Sequence, residues 1–417
     1  MSTTTPHTQT AYKDTPIGKI PADWEVKRLG DVCEKITDGT HDTPEPTNEG
    51  VPFLTAIHIK EGFIDFASCY FLPNEIHQKI YKRCNPELGD VLLVNIGAGV
   101  GTSAVVNVDY QFSLKNVALL KPLKRQLIGE FLNYYQIYSK GRLVKNLLNG
   151  GAQPFLSLKN ISNLKIPLPP LSEQKRIAEV LSTWDKAIQL TEQLIRQKEL
   201  RKKWLMQNLL TGKMRLKGFS GVWKFVKFKD FYSESKLKVG SKKYEVLSVT
   251  KTGIVPQSEY FNKEIASSNT SNYLIVEKGD FVVSGLNFWM GSFDVLSNFD
   301  IGIVSPAYKV YKLKVGFEKT FFKFLSKSKL MLDAMIGASI VGASIVRRNF
   351  DKEILMEWSF KIPSIEEQTA IAEVLQTADK EIELLKAKAE QLKEQKKGLM
   401  QQLLTGRMRL NLITINK

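Results

Sequence analysis

The chain is poor in the residues from which metal and disulfide sites are built. Its 417 residues include three cysteines and four histidines. Cys33, Cys69 and Cys84 follow no CxxC or other ligand spacing, and the histidines are scattered. An odd number of unpatterned cysteines indicates a reducing compartment and ordinary buried or half-buried thiols. We therefore expect no metal site in this chain.

Long hydrophobic runs are also lacking. No apolar stretch reaches the ~18 residues that a membrane-spanning helix needs. The amino-terminal segment MSTTTPHTQTAYKDTP does not contain the apolar core of a signal peptide. The sequence thus predicts a soluble, cytoplasmic protein without a membrane partner.

Motifs of the common nucleic-acid enzymes are missing as well. The sequence has no Asn/Asp-Pro-Pro-Tyr/Phe methyltransferase tetrad, no Walker A loop and no HExxH helix. The glycine-rich run 95–101 (NIGAGVG) lacks the spacing of a dinucleotide-binding loop, which favours a tight turn where the backbone approaches another surface. The run 23–27 (DWEVK) has the ExK spacing of some nucleases but no metal-binding aspartate placed before it. These absences favour a chain that is not an enzyme by itself.

Acidic residues are too few to balance the basic ones. The chain has 59 lysines and arginines against 43 aspartates and glutamates, which gives a net charge of +16. The excess is about +2 in residues 1–172 and about +8 in residues 217–361. Such a balance favours an acidic polymer, most simply nucleic acid, as the partner. A lysine-rich, solvated surface is the alternative explanation.

The sequence does contain one long segment twice. Residues 173–216 and 367–410 align without a gap and share 25 of 44 positions. Their separation of about 194 residues is much longer than the roughly 20 to 50 residues of a solenoid repeat. The chain is therefore one half-unit repeated, and we expect a pseudo-two-fold molecule whose partner also has two halves.

Both copies predict a long helix with a narrow apolar seam, within the segments 166–216 and 362–410. Seam residues recur at alternating spacings of four and three over about five heptads. The seam positions are Ile177, Leu181, Trp184, Ile188, Thr191, Ile195, Lys198, Lys202, Leu205, Leu209, Ile371, Leu375, Ala378, Ile382, Leu385, Ala389, Leu392, Lys396, Leu399 and Leu403. We expect the two copies to cover each other as an antiparallel pair. Thr191, Lys198 and Lys202 interrupt the first seam and are predicted to be solvated or to contact a third protein.

Helix boundaries are marked at both ends of each copy. Ser172 follows two prolines and is predicted as the N-cap residue of the first helix. Ser364 and Glu367 fit a capping box at the start of the second. Gly212 and Gly406 are predicted to end the helices in the left-handed conformation. Forty helical residues would span about 60 Å.

The remaining segments, 17–165 and 217–361, differ in character from the helices. Both alternate short β-branched and aromatic runs with Gly, Pro, Asn and Asp, which predicts mixed α/β domains with many short strands. Faint matches survive between them, such as LGDVL at 88–92 and KGDFV at 278–282. The predicted fold class is α+β: two mixed α/β domains separated by an intramolecular antiparallel coiled coil, with pseudo-two-fold symmetry.

Several of these segments resemble one known family. IPADW at 20–24, PLPPLSEQKRIAEVL at 167–181, LLTGKMRL at 209–216 and a second IAEVL…LLTGRMRL follow the order found in the specificity subunit of type I restriction-modification systems. The resemblance covers about residues 17–410. The duplicated arrangement is its most specific part.

The family resemblance implies a DNA-reading role within a larger complex. Two target-recognition domains would each read one half of a bipartite site in double-stranded DNA, and the helical stem would set the spacer and dock two modification subunits. Those partners would carry S-adenosylmethionine and methylate adenine, and separate restriction subunits would use ATP and Mg²⁺. This chain itself is expected to bind no cofactor. The alternatives are a fused restriction-modification enzyme, for which catalytic motifs are missing, and a coiled-coil adaptor without specific DNA binding, which leaves the positive charge unexplained.

DNA contacts can be assigned only by residue type and local context. Phosphates are bound by Lys, Arg and small polar donors, and base edges by Arg, Lys, Asn, Gln, Ser and Thr. In the first domain, a polar loop after an apparent strand and the return to the stem supply the candidates Lys35, Thr37, Thr40, His41, Lys159 and Asn160. The candidates in the second domain are Lys242, Lys243, Asn287, Trp289, Arg347 and Arg348. The arginine pair is favoured, and a solvated surface position is the alternative for each residue.

Overall fold

Two structural units share both long helices. The computed structural model describes residues 11–148, 155–260, 269–344 and 347–410. The chain divides into a first compact unit, Met1–Thr191 with Lys388–Lys417, and a second, Glu192–Ala387. Each unit therefore contains one globular domain and about half of each long helix.

The first globular domain is built from short strands and a few helices. Its strands are β1 (Tyr12–Thr15), β2 (Gly18–Pro21), β3 (Glu25–Arg28), β4 (Cys33–Asp38), β5 (Val51–Leu54), β6 (Ile59–Lys60), β7 (Phe63–Ile64), β8 (Tyr70–Leu72), β9 (Val91–Leu93), β10 (Ser103–Val105), β11 (Ser113–Leu114), β12 (Ala118–Pro122) and β13 (Lys165–Leu168). Its helices are α1 (Leu29–Val32), α2 (Asn74–Cys84), α3 (Gly129–Leu148) and α4 (Leu158–Ser162), and the first long helix is α5 (Leu171–Leu209).

The second globular domain has a similar make-up. Its strands are β14 (Lys224–Lys227), β15 (Tyr232–Ser235), β16 (Leu247–Thr250), β17 (Gly253–Pro256), β18 (Leu274–Glu277), β19 (Phe281–Ser284), β20 (Phe293–Val295), β21 (Ile301–Val304), β22 (Tyr308–Leu313), β23 (Ser339–Ser344), β24 (Arg347–Phe350) and β25 (Ser359–Ile362). Its helices are α6 (Phe228–Phe231), α7 (Gln257–Tyr260), α8 (Lys319–Ser326), α9 (Lys329–Gly337) and α10 (Lys352–Glu357), and the second long helix is α11 (Ile365–Leu404).

The same strand order is built twice. The first unit has a four-stranded antiparallel sheet in the order β10-β9-β12-β4, and the second has the order β20-β19-β22-β15. A two-stranded ribbon also recurs, as β3 with β13 and as β14 with β25. Each ribbon joins the segment that starts a domain to the strand that leads into a long helix. The duplication visible in the helices thus extends through the globular domains.

A glycine–aspartate turn precedes the central strand of both sheets. Gly89 (φ 89°) and Gly279 (φ 96°) have the left-handed conformation that favours glycine. Asp90 and Asp280 each accept a hydrogen bond from the backbone N–H three residues earlier, at 2.8 and 2.9 Å. Burial raises the pKa of both carboxyl groups. The faint LGDVL and KGDFV match therefore marks one turn that is used twice.

The long helices α5 and α11 pack against each other within each unit. In the first unit, Lys396 Nζ on late α11 is 2.6 Å from Asp185 on early α5. In the second unit, Lys202 on late α5 forms an ion pair with Asp379 in the first half of α11. The helices therefore run antiparallel in both units. None of the predicted seam residues is exposed, whereas off-seam Leu200 is 67% exposed.

Lysines inside the seam are paired with acidic side chains across it. Lys198 and Lys202 each form an ion pair with α11, and the partner of Lys202 is Asp379. Lys396 and Asp185 occupy the repeat-equivalent positions of Lys202 and Asp379, so the same pair is made once in each unit. The prediction that these two lysines are solvated or contact a third protein was wrong, because their long stems reach an acid on the facing helix.

The helix ends follow the predicted signals in part. Helix α5 begins one residue before Ser172, because the preceding proline carbonyl accepts the first helical bond; the N-cap prediction for Ser172 was wrong. Ser364 does cap α11, since its hydroxyl accepts from the Glu367 N–H at 3.5 Å. The Glu367 carboxylate bonds elsewhere, within the second of two clusters that join the helices to the domains. Gly212 and Gly406 both have φ 69°, as predicted for a helix stop.

Each globular domain is fastened to the long helices by a buried carboxylate. In the first unit, Glu173 accepts bonds from Trp24 Nε1 at 3.0 Å and from Arg409 Nε at 2.6 Å. Arg409 also forms a bidentate pair with Asp23, at 2.9 and 2.8 Å. We call these four residues the first anchor cluster. The DWEVK run therefore begins with residues that have a structural role.

The second anchor cluster consists of Trp223, Glu367 and Arg215. Glu367 accepts from Trp223 Nε1 at 3.1 Å and from two nitrogens of Arg215, both at 2.6 Å. In each cluster the glutamate comes from one copy of the repeat and the arginine from the other. The two copies thus exchange partners, which ties the end of one long helix to the start of the other.

The described residues offer neither a metal site nor a membrane span. No group of three or more potential metal-binding side chains lies together in these ranges. None of the helices in the same ranges combines the length and apolarity that crossing a bilayer requires. Cys33 and Cys84 are buried and Cys69 is half-buried, as predicted. Burial raises the pKa of the Cys33 and Cys84 thiols to about 12, so both are unreactive near neutral pH.

Candidate nucleic-acid interface

A polar cluster forms in the first unit where β4 ends. The buried carboxylate of Asp38 lies 2.6 Å from Arg83 Nη2 and 3.2 Å from His41 Nε2. The other ring nitrogen of His41 lies 2.8 Å from Asn116 Oδ1. We call these residues the first polar cluster. One buried acid therefore orients a guanidinium and an imidazole whose side chains are 49% and 63% exposed.

The predicted loop at this place is shorter than the sequence suggested. Lys35 and Thr37 lie within strand β4 itself, so their assignment to a loop was wrong. Thr40 is 6% exposed and its hydroxyl bonds to Asp42, so it presents little surface to a ligand. The β-branched pair Ile36 and Thr37 was the missed sign that the strand continues to Asp38. Of the four candidates, only His41 joins the exposed cluster.

Arg83 and Asn116 were missed by sequence reasoning. Arg83 lies in α2 and Asn116 between β11 and β12, so only folding brings them beside His41. Asn116 has φ 53° and is the one non-glycine residue with positive φ in the described part of the chain. Asparagine tolerates this conformation better than most residues, and a positive φ in a polar segment was not visible without the structure.

Lys159 and Asn160 are not among the residues of the first polar cluster. Both are exposed on the short helix α4, and the Asn160 N–H is bonded to the Ser157 hydroxyl at 3.1 Å. Lys242 and Lys243 are likewise exposed, in a turn of the second unit. Exposed cations on such short elements suit phosphate contacts better than base readout.

Trp289 and Arg348, two predicted DNA-binding residues of the second unit, lie against each other. The guanidinium of Arg348 lies over the ring of Trp289, 4.6 Å from its centroid, and donates to Ser339 Oγ at 2.9 Å. Within the described residues, Arg348 Nε and Trp289 Nε1 are buried without a hydrogen-bond partner. A stacked guanidinium has a fixed plane, which suits bidentate recognition of guanine or phosphate. Arg347 starts β24, and its side chain lies outside the described part.

The glycine-rich run 95–101 connects the adjacent strands β9 and β10. Gly97 and Gly101 have φ 85° and 86°, so the run forms a tight turn, as its spacing predicted, and no dinucleotide-binding loop. The corresponding connection in the second unit joins β19 to β20 and carries Asn287 and Trp289. Equivalent loops of the two sheets thus present different side chains.

Solved structures show the same architecture. The HsdS subunit from Thermoanaerobacter tengcongensis aligns with a TM-score of 0.52 over 93% of this chain and 98% of that chain, at 15% identity. The type I restriction-modification S subunit from M. genitalium aligns with a TM-score of 0.52 over 91% and 96%, at 14% identity. At these identities the likeness shows the fold.

Sequence comparison identifies the family. A family model described as the type I restriction modification DNA specificity domain matches residues 21–199 and 222–394. The type I restriction enzyme MjaVIII specificity subunit of Methanocaldococcus jannaschii is 24% identical over 431 residues, which cover 94% of each chain. The chain therefore belongs to the type I restriction-modification DNA specificity family.

Proposed function

We propose that this chain is the sequence-reading subunit of a type I restriction-modification complex and is not itself a catalyst. Each globular domain reads one half of a bipartite site in double-stranded DNA. The observation that carries this proposal is one strand order built twice with different side chains on equivalent loops. A repeated scaffold with two different surfaces suits an asymmetric, two-part DNA sequence.

The electrostatics of both domains support contact with DNA. The first polar cluster offers a guanidinium, an imidazole and an amide, and the second domain offers a stacked guanidinium. These groups match the hydrogen-bonding edges of bases in the major groove. The net charge of +16 adds attraction to the phosphate backbone.

The long helices are proposed to form the antiparallel coiled coil that sets the spacer between the half-sites. Burial or half-burial of every seam position, and paired seam lysines in both units, support this assignment. The stem is proposed to dock two methylation subunits, which carry S-adenosylmethionine and modify adenine. Restriction subunits that use ATP and Mg²⁺ would complete the complex.

A genome-wide map of methylated adenines tests the proposal. The map is compared between source cells with the gene intact, with the gene deleted, and with the full chain restored. Deletion is expected to remove one bipartite motif, and restoration to bring it back. If every motif survives deletion in cells whose partner methyltransferase is shown to be active, the chain does not direct methylation. A coiled-coil adaptor would then be the better description.

A further inference from the structure

A cavity of about 470 Å³ opens in the second unit beside Asn287. It lies between the β16–β17 hairpin, the β19–β20 loop and the turn that joins β21 to β22. Eight of its fourteen lining residues carry a hydroxyl group, and none of the fourteen is acidic. Hydrogen-bonding walls with one lysine and no carboxylate suit a polar ligand that is uncharged or negatively charged.

Some of these hydroxyl groups hold the walls in place. Thr250 Oγ1 lies 2.9 Å from Thr252 Oγ1 and donates to the Gly253 carbonyl at 2.9 Å. Ser284 Oγ accepts from the backbone N–H of Asn287 at 3.4 Å. The hairpin and the loop are thus fixed before a ligand arrives, which lowers the entropy that binding must overcome.

Other lining side chains are left for a ligand. In the described part of the chain, no hydrogen bond or ion pair is formed by the side chains of Lys251, Asn287, Ser305 and Tyr308. Lys251 and Asn287 are exposed, and Ser305 and Tyr308 are half-buried. An ammonium, an amide and two hydroxyls therefore border one space. Asparagine amides pair with the N6 and N7 edge of adenine, hydroxyls bond to either kind of base edge, and lysines bind phosphates.

In the first unit, the equivalent loop is bonded to another segment of the chain. Ile96 forms a strand-like bridge with Phe155, and the Leu156 N–H donates to the Asn95 carbonyl at 2.8 Å. Asn95 is only 5% exposed. A reading cavity at this loop would therefore belong to the second domain alone.

We propose that this cavity reads an adenine of the second half-site. Asn287 bonds the base edge, Ser305 and Tyr308 line the space beside it, and Lys251 contacts a flanking phosphate. Adenine is favoured because a side-chain amide presents one donor and one acceptor side by side, as the adenine edge does. The proposal rests on the function proposed above and assigns one base of the site to one side chain.

The test uses the purified complex of the full chain with its methylation partner. A library of duplexes with randomised sequence is selected for binding and sequenced. Asn287→Ala is expected to reduce the preference for one A·T pair of the second half-site by about tenfold or more and to leave the first half unchanged. Asn287→Gln keeps the amide and should restore part of that preference.

A matched pair of variants controls for general effects. Ser305→Ala removes a hydroxyl of the cavity and should weaken selection of the second half-site, whereas Ser233→Ala removes an exposed hydroxyl of β15 and should not. If Asn287→Ala and Ser305→Ala both select the wild-type motif with wild-type affinity, the cavity is not a reading site while the proposed function stands. If the wild-type complex selects no motif, the proposed function fails and this inference fails with it.

Discussion

The buried anchor clusters and the solvent-facing loops of the two units agree to very different degrees. Both anchor clusters contain a tryptophan and an arginine bonded to one buried glutamate, with distances between 2.6 and 3.1 Å. The polar clusters of the two units share neither their place in the strand order nor their chemistry. The first unit presents an Asp–His–Arg–Asn cluster, and the second presents a stacked Trp–Arg pair and a hydroxyl-lined cavity.

The anchor clusters agree more closely than the loops because their carboxylates are shielded from water. A buried carboxylate is costly unless fixed partners satisfy it, so few alternatives are compatible with the fold at that position. His41 and Arg83 are largely exposed, and an exposed polar side chain is satisfied by water whatever its neighbours are, so such positions can differ while the scaffold remains the same. This division allows one framework to carry two different polar surfaces.

The largest expected effect distinguishes the two anchor clusters from each other. Glu367→Gln should destabilise the second unit by about 3 kcal/mol, because Arg215 loses its ion-pair partner within the described residues. Glu173→Gln should cost less, because Arg409 keeps its bidentate pair with Asp23. Hydrogen exchange followed by mass spectrometry measures the opening of each unit separately. Equal losses of stability in both units, or a similar loss in the exposed control Glu373→Gln, would contradict this account.

A somewhat smaller effect is expected from the helix seam. Leu385→Asp places a charge at a half-buried seam position and should cost about 2 kcal/mol, whereas Leu384→Asp, at a neighbouring residue that is 63% exposed, should cost close to nothing. Chemical denaturation of the full chain compares the two variants. Equal destabilisation would mean that the seam is not the covered face.

The two units differ by a single hydroxyl group beside the paired seam lysines. Tyr134 donates to Asp185 at 2.7 Å, and its ring lies 5.2 Å from Lys396. In the second unit, Phe324 stands in the same relation to Lys202. Tyr134→Phe should therefore make the first unit resemble the second at a cost of about 1 kcal/mol. Thermal unfolding against the control Tyr138→Phe measures this cost, and no difference between the two would show that the bond contributes nothing.

The smallest expected effect concerns phosphate contacts. Replacing Lys242 and Lys243 with alanine should weaken binding to all duplexes alike and reduce the slope of log affinity against log salt by about one for each phosphate that the variant no longer neutralises. Lys159→Ala removes one candidate lysine from the first domain and is compared with the double replacement in the second. Binding titrations over a range of salt concentrations give the slopes. A change in the recognised bases instead would make these lysines readers of sequence.

The framework was largely predictable from sequence, because its signals are local or repeated. The alternating spacing of four and three located the seam, and Gly212 and Gly406 marked the helix ends. The start of α5 was misplaced at Ser172, because the helix begins at Leu171 and the Pro170 carbonyl accepts its first backbone hydrogen bonds. The partners of Lys198 and Lys202 were not predictable, since they lie about 180 residues away on another helix.

The candidate interface was predictable only in part, because distant segments build it. His41 was identified from its residue type, but Arg83 and Asn116 join it from α2 and from a connection between strands. Trp289 and Arg348 were both identified, yet their stacking depends on the tertiary fold. The short strands were foreseen as a class and not individually, because pairing across the sheet rather than local propensity sets their ends.

Two-part DNA reading is tested most directly by a reciprocal map of methylated adenines with Arg83→Ala and Arg348→Ala. Each variant, expressed as the full chain in cells that lack the wild-type gene, should keep one half of the bipartite motif and relax the other, at a cost of about 1–3 kcal/mol in discrimination. If each globular domain reads one half-site, the two variants relax opposite halves. Two-part reading would be contradicted if both variants relaxed the same half, or if either one changed both halves together.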